Sequence, residues 1–441
     1  MNSLSKTTQF LAGLQWLFFM FANTVVIPLT IGDAFDLSSV EVVSALQRSF
    51  IYTGAACILQ AVFGHRYPLM EGQSGLWWGA ILSLSASAAS AGISVNELGG
   101  GLAVGIICSG VLVTILGALG MGNFLKRLFT PVVMSTVLFL LASQLIIIFT
   151  KGMLGLATEN KIHIPTSSLS IFLILLTIWI NIKGPKAIRN FSILIGIVIG
   201  WIIYVLFFPS AAADEQVTVK LFNLFPWGTP TFSLGLIIMA VITGLVNTTN
   251  TIAAVKGVEP LLQTTTSDKQ YRKSFVLTGI NSVFSGLFGM VPYAPYISSL
   301  GFLQSTLIFE RLPLIIGAVM FMILGLVPSF SHLFSTLPIS VGDAVLFVAY
   351  LQLFSGALNN LEGIRFSPKT IYRIAGPVLL GIAIMNIPAE MFSSIPMLVR
   401  PLISSGLLMG IILAIVLENT INWSKVEQIE TAKKVKSRNI G

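Results

Sequence analysis

An all-α polytopic membrane fold of about fourteen spanning segments, seven followed by seven in inverted orientation, is what this sequence predicts. Three observations predict it. Hydrophobic residues fill 55% of the 441 positions and charged residues only 10%, against roughly 25% charged in water-soluble globules. Apolar runs close to the roughly 20 residues that cross a bilayer recur along the whole chain. The loop at 209–230, polar, acidic and flanked by Pro209 and Pro230, is the strongest change of composition and leaves seven runs on either side. Because seven is odd, the second half enters the membrane the other way up, as an inverted repeat. The division is then 1–208 for the first repeat, 209–230 for a connecting loop, 231–421 for the second repeat and 422–441 for a charged tail.

The net charge of +8 suggests nucleic acid at first sight, but the basic residues follow topology instead of forming one basic face. Loops read as internal hold 20 of the 25 Lys and Arg, whereas loops read as external keep Lys151, Lys161, Lys220 and Arg400 beside acids such as Asp33, Asp36 and Glu41. This bias puts both termini in the cytoplasm of a multi-pass plasma-membrane protein. The first span, 9–31, is too long for the apolar core of a cleaved signal and stays in the mature chain. Cys57 and Cys108 fall inside spans as small apolar fillers. His65, His163 and His332 are scattered at span ends and loops, so no metal cluster is formed and no cofactor is implied.

Taken in order, span 9–31 carries Gln15, Asn23, Thr24 and Pro28, polar groups and a backbone break that a plain anchor does not need. Span 44–63 holds Arg48 about one turn from its outer end, within snorkelling reach of headgroups. Segment 67–91 is broken: Pro68, Glu71, Gly72, Gln73, Ser74 and Gly75 precede an apolar run. Spans at 98–120, 128–150, 168–182 and 191–208 complete the first half. Span 231–255 places Asn247, Thr248, Thr249, Asn250 and Thr251 near its middle. Five consecutive hydrogen-bonding residues are costly in hydrocarbon and fit either a binding site or helix packing. Span 272–290 leads into a second broken segment, 291–309, interrupted around Pro292 and Pro295. Spans at 312–330, 337–358, 370–385 and 401–417 follow.

The two breaks occupy the third place of each half. Lipid offers no hydrogen bonds, so unwound backbone at membrane depth survives only when buried in protein or lining a polar cavity. Paired interruptions of this kind mark substrate sites in transporters, although a short outer loop between two ordinary helices would leave a similar trace. Glu71 is the only acid inside a broken segment. An ionised carboxylate there costs about 3 kcal/mol on insertion scales, so such residues usually belong to ion or substrate pathways. Capping of backbone N–H groups, or pairing with Arg66, is the competing reading.

The residues LQWLFFMFANTVVIP in the first span, EGQSG in the third, and RKSFVLTGINSVFSGLFGMVP leading into the tenth resemble the nucleobase/ascorbate transporter family, mostly nucleobase:cation symporters of the xanthine/uracil permease type. The family's signature in the tenth span reads SSLGFLQSTL here. Gly301 and Thr306 match it, while Ser298, Ser299 and Leu307 stand where an amide or acid, an Asn and a basic residue are usual. Asn247 holds a place in the eighth span that is usually acidic. The resemblance implies a core domain of segments 1–4 and 8–11 and a gate domain of segments 5–7 and 12–14. It also implies short antiparallel strands in segments 3 and 10 that meet at the midplane, and it is compatible with a homodimer. A purine would meet Ser74 and Gly75 from one strand, Ser298 and Ser299 from the other, and Asn247 from the eighth span, with Trp77, Phe18 or Tyr296 stacking on its faces.

On this basis the chain is expected to import a nucleobase, most readily a purine, by proton symport, with Glu71 as the coupling carboxylate in place of the two missing acids. The alternatives are an uncoupled nucleobase facilitator, a sulfate-type anion transporter on the same fold, and a sensor or membrane enzyme. The anion reading lacks a basic residue near either break. The enzyme reading lacks a nucleophile with its base, a metal cluster or an acid pair.

Overall fold

A computed structural model describes residues 5–88, 93–120, 122, 127–156, 161–189, 191–208, 222–364, 366–396, 399–423 and 425–426. The protein is mostly helical. Among the described residues seven helices are long and apolar enough to cross a membrane, or eight when a pair bent by 83° is taken as one span, and four shorter apolar helices accompany them.

The first span consists of α1 (Lys6–Thr24) and α2 (Val26–Ala34), joined at Val25. Pro28 causes the joint, since its ring opposes the carbonyl four residues earlier, at Thr24, and it has no N–H to donate. Helix α3 (Ser39–Val62) starts where the Ser38 hydroxyl accepts the Glu41 amide. Strand β1 (Glu71–Gln73) and α4 (Gly75–Ala88) form the broken third segment. Then come α5 (Val95–Ala118), α6 (Pro131–Met153), α7 (Ile164–Lys183), the single turn α8 (Lys186–Arg189) and α9 (Ser192–Phe207). In the second half α10 (Leu234–Leu262) carries the polar run, and α11 (Asp268–Phe288) opens with a capping box between Ser267 and Gln270. Helix α11 stops at Gly289, whose φ of +59° is a left-handed turn that glycine adopts without steric cost. Strand β2 (Tyr293–Pro295) and α12 (Ser298–Thr306) follow at once. Helices α13 (Arg311–Leu326) and α14 (Pro328–Ser335) form the bent pair, and α15 (Ile339–Tyr350) continues into α16 (Gln352–Asn360). Helix α17 (Tyr372–Met385), a 3₁₀ turn (Ala389–Phe392), α18 (Arg400–Ile403) and α19 (Gly406–Thr420) end the described chain.

Two packing groups arise. Helix α5 lies along α10 and α11, and α13 lies along α1 and α3, so helices from one half of the sequence pack on helices from the other. Around α6 gather α15, α16, α17 and α19, while α7 and α9 pack on each other and on α15. The second group is pinned at one end by a bidentate pair, Arg373 to Glu418 at 2.8 and 2.9 Å, with Thr130 donating to Glu418 at 3.2 Å and Arg373 over the Trp423 ring at 5.3 Å.

Two expectations from sequence are corrected. Arg48 does not snorkel. It is fully buried, and its guanidinium meets Glu41 at 3.6 Å, because a partner one helix-turn pair away on the same helix face removes the need to reach the headgroups. The loop at 209–230 is not a mere connector over its described part, 222–230. Trp227 is buried and stacks on Phe35 at 5.1 Å, and the Phe225 amide donates to the Leu287 carbonyl at 2.8 Å. The Thr229 amide donates to Asn96 at 3.0 Å, and Asn223 donates to Glu41 at 2.7 Å. The backbone of Trp227 and Thr229 runs so close to Gly99 and Gly100 of α5 that a β-carbon at either glycine would collide with it. Residues 209–221 and the tail beyond 426 lie outside the described residues.

Candidate functional site

Pro68, Gly72 and Gly75 in the first half and Pro292 and Pro295 in the second keep both breaks out of the helix, and the freed backbone groups pair with one another. Strands β1 and β2 are antiparallel, with Glu71 opposite Pro295, Gly72 opposite Ala294 and Gln73 opposite Tyr293. The ladder is extended at both ends, by Ser74 N–H to Pro292 O and by Tyr296 N–H to Met70 O, each 2.8 Å. All six strand residues are buried. Each strand runs into the N-terminus of a helix, α4 at Gly75 and α12 at Ser298, so the positive ends of two helix dipoles meet at the ladder.

The polar run of α10 closes onto this crossing. The Ser74 hydroxyl donates to Asn247 Oδ1 at 2.6 Å, Asn250 Nδ2 donates to the same oxygen at 3.0 Å, and Asn247 Nδ2 donates to the Tyr293 carbonyl at 3.0 Å. Asn250 also reaches the Ser74 hydroxyl at 3.3 Å. Asn247 thus uses both ends of its amide, and a carboxylate in its place could not donate to Tyr293 O. The Tyr296 ring lies against Gly72, its hydroxyl donating to the Gln73 carbonyl at 2.5 Å. From the other packing group the Tyr350 ring, flanked by Trp78 and Phe149, covers Gly75, and Gln144 of α6 donates to the Gly79 carbonyl at 2.6 Å.

The residues singled out from sequence divide accordingly. Ser74, Gly75, Asn247 and Tyr296 meet at the crossing. Ser299 is buried beneath it, its hydroxyl accepting the Met70 amide at 3.1 Å, so it holds the ladder. Ser298 is exposed at the start of α12, Gly301 has open space around it, and the Thr306 hydroxyl bonds back to Phe302 O at 3.0 Å. Trp77 is buried against Gly244 of α10, one turn from Asn247, with no hydrogen-bond partner for its indole N–H. Phe18 is surface-exposed and meets Phe191 edge-on at 6.3 Å; among the described ring contacts it touches none at the ladder.

Glu71 is fully buried and points away from the crossing. With Gln73 it faces α3, and it also reaches α11: Gln73 donates to Ser49 of α3 at 3.0 Å, and Glu71 Oε1 accepts from Thr278 of α11 at 3.1 Å and Gln60 of α3 at 3.4 Å. Its other oxygen has no partner and it forms no ion pair with Arg66. Sequence reasoning passed over Asn250, Tyr350, Gln144 and Gly72 as site residues. Asn250 belonged to the polar run, whereas Tyr350 and Gln144 sit singly in ordinary apolar helices and leave no local signal.

The sequence matches the model of the Permease family over residues 7–390. It is 25% identical over 438 residues to the xanthine permease of Bacillus subtilis (strain 168), covering 97% of each chain. It is 26% identical over 421 residues to the uric acid permease PucJ of the same organism, covering 92% of this chain and 91% of that one. Among solved structures, the transmembrane domain of a cyanobacterium bicarbonate transporter, BicA, matches with a TM-score of 0.64 at 18% identity, over 86% of this chain and 96% of that one. SLC26A9 matches with a TM-score of 0.59 at 11% identity, over 94% of this chain and 66% of that one. At such identities these two structures speak for the fold alone. With a family model spanning most of its length and named permeases matched nearly end to end, the chain belongs to the permease family of nucleobase-ascorbate transporters and is a multi-pass membrane transporter, not an enzyme.

Proposed function

We propose that the protein imports a purine by proton symport through the crossing of β1, β2 and α10. The observation that carries this reading is the Ser74–Asn247–Asn250 cluster at the ends of two half-helices. It offers hydroxyl, amide and backbone donors and acceptors without a charged side chain, which suits the carbonyls and ring N–H groups of a neutral base. Ser298 at the α12 N-terminus and Ser74 at the α4 N-terminus are the polar contacts of this reading, and Tyr296 and Tyr350 its faces. Relatives named for xanthine and uric acid favour a purine over a pyrimidine.

In this reading the fourteen segments form two seven-segment repeats, with segments 1–4 and 8–11 as the core that holds the base and segments 5–7 and 12–14 as the gate. The packing of α5 and α13 on helices from the other half supports it. The Gln144–Gly79 hydrogen bond and the Tyr350–Gly75 contact are then the core-to-gate contacts that a transport cycle breaks. Glu71 is the coupling carboxylate, acting from behind the ladder: its free oxygen can take a proton while Thr278 and Gln60 hold the other. In proteoliposomes Glu71→Gln should abolish accumulation of labelled xanthine against its gradient and leave xanthine exchange intact. Unchanged accumulation from pH 5.5 to pH 8 would remove Glu71 from the coupling path.

A further inference from the structure

A second buried carboxylate has no role in that scheme. Asp343 lies in the first turns of α15, only 2% exposed, with Oδ1 unpartnered and Oδ2 pressed against the backbone of Gly152 in α6. The neighbouring Gly342 is packed against Val26 of α2, so Asp343 sits at the seam where α15 meets the end of the first span. The charged groups on the elements packed around it are few. Helix α2, which packs on α15, carries Asp33 near its C-terminal end. Helix α6 carries Lys151, which is exposed and forms no ion pair with Asp343. Helix α7 offers His163 at its N-cap, engaged with Thr166, and Lys183 at its far end. Helices α9 and α16 have no charged residue.

We infer that Asp343 is a proton-binding site that links protonation to closure of the α2–α15 seam, separately from Glu71. A carboxylate buried without a cation, and with an oxygen that no donor reaches, is accommodated only with its proton on. When α2 parts from α15, Asp343 meets water and can release that proton. The step is a simple acid dissociation, COOH to COO⁻ plus a proton delivered to the medium on the Asp33 side, so low pH favours the shut seam and high pH the open one. One linked proton shifts the ratio of open to shut by up to about tenfold per pH unit. The inference extends the transport reading, since the seam joins the proposed core and gate, but its test needs no substrate.

The test is a distance measurement in nanodiscs between spin labels at Ser39→Cys, beside α2, and Lys161→Cys, before α7, in a Cys108→Ser background. The labelled wild type should pass from one short distance at pH 5.5 to a population of longer ones at pH 8.5. Asp343→Asn, which mimics the protonated side chain, should keep the short distance throughout, and Asp343→Glu should restore the response. Glu71→Gln should retain the pH shift. A wild type with no pH-dependent distance, or an Asp343→Asn protein that still shifts, would overturn the assignment, and the first of these outcomes does not depend on any Asp343 variant folding.

Discussion

At the residue scale, Asn247 shows what an amide can do at the crossing that a carboxylate could not. It accepts from Ser74 and Asn250 and donates to Tyr293 O at once. Removing it takes a side-chain donor from the buried Tyr293 carbonyl, at a cost of about 1–3 kcal/mol, and leaves Ser74 and Asn250 only their 3.3 Å bond to each other. Asn247→Leu should therefore lower purine uptake at least about tenfold and reduce thermal stability. Asn247→Asp should keep the shape but lose the bond to Tyr293 O, with a smaller loss of both. Uptake kinetics and thermal unfolding of the two variants check this. Ser298→Leu, by contrast, should lower uptake without loss of stability, because Ser298 is exposed. His65 makes a different point. In the turn after α3 its Nδ1 accepts the Tyr67 amide at 3.0 Å, its Nε2 has no partner, and burial pushes the ring from 6.5 down to about 3. The unfolded chain takes up the proton first as pH falls. The stability that burial of the neutral ring supplies is thus present above pH 6.5 and lost progressively toward pH 3. Unfolding of the detergent-solubilised protein between pH 7 and pH 4 should show this loss, and His65→Gln should flatten it.

At the scale of elements, the legible features were those that violate membrane physics. Proline and glycine at 68–75 and 286–295, and five polar residues in the middle of α10, have no reason to exist in hydrocarbon unless they meet something, and the structure brings them together. What stayed hidden depends on neighbours distant in sequence. Arg48 read as a snorkelling residue because nothing in the run 44–63 revealed Glu41 as its partner. Tyr350 and Gln144 are compatible with any packed helix until the fold sets them against Gly75 and Gly79. Glu71 was legible as a buried acid, but the alternation of side chains along β1, which turns it toward α3 and away from Ser74, follows only from the ladder. The loop was half legible. Trp227 stacked on Phe35 should make Trp227→Ala cost about 3–5 kcal/mol, the range for deleting a buried large aromatic. An insertion between Ala211 and Ala213 should leave transport unchanged. Thermal unfolding of the first variant and uptake by the second check the pair.

At the scale of the whole molecule, the fold follows from one constraint applied twice. Each half contains a segment that cannot remain helical, and each break needs partners that lipid cannot provide, so the two breaks satisfy one another in a ladder and α10 closes over the crossing. The membrane-protein class was readable from composition and from the recurring apolar runs. The grouping of helices around α6 was not, because it depends on which apolar faces meet and all of them look alike in sequence. The central claim is that this crossing binds a purine for transport. The most direct measurement is uptake of radiolabelled xanthine by cells expressing the chain, with unlabelled purines, pyrimidines, sulfate and bicarbonate as competitors and the Asn247→Leu protein, verified in the membrane, as the control. Saturable uptake that unlabelled purines suppress, that the two anions leave untouched and that Asn247→Leu loses is the predicted result. Uptake indifferent to purines, or fully retained by Asn247→Leu, would contradict it.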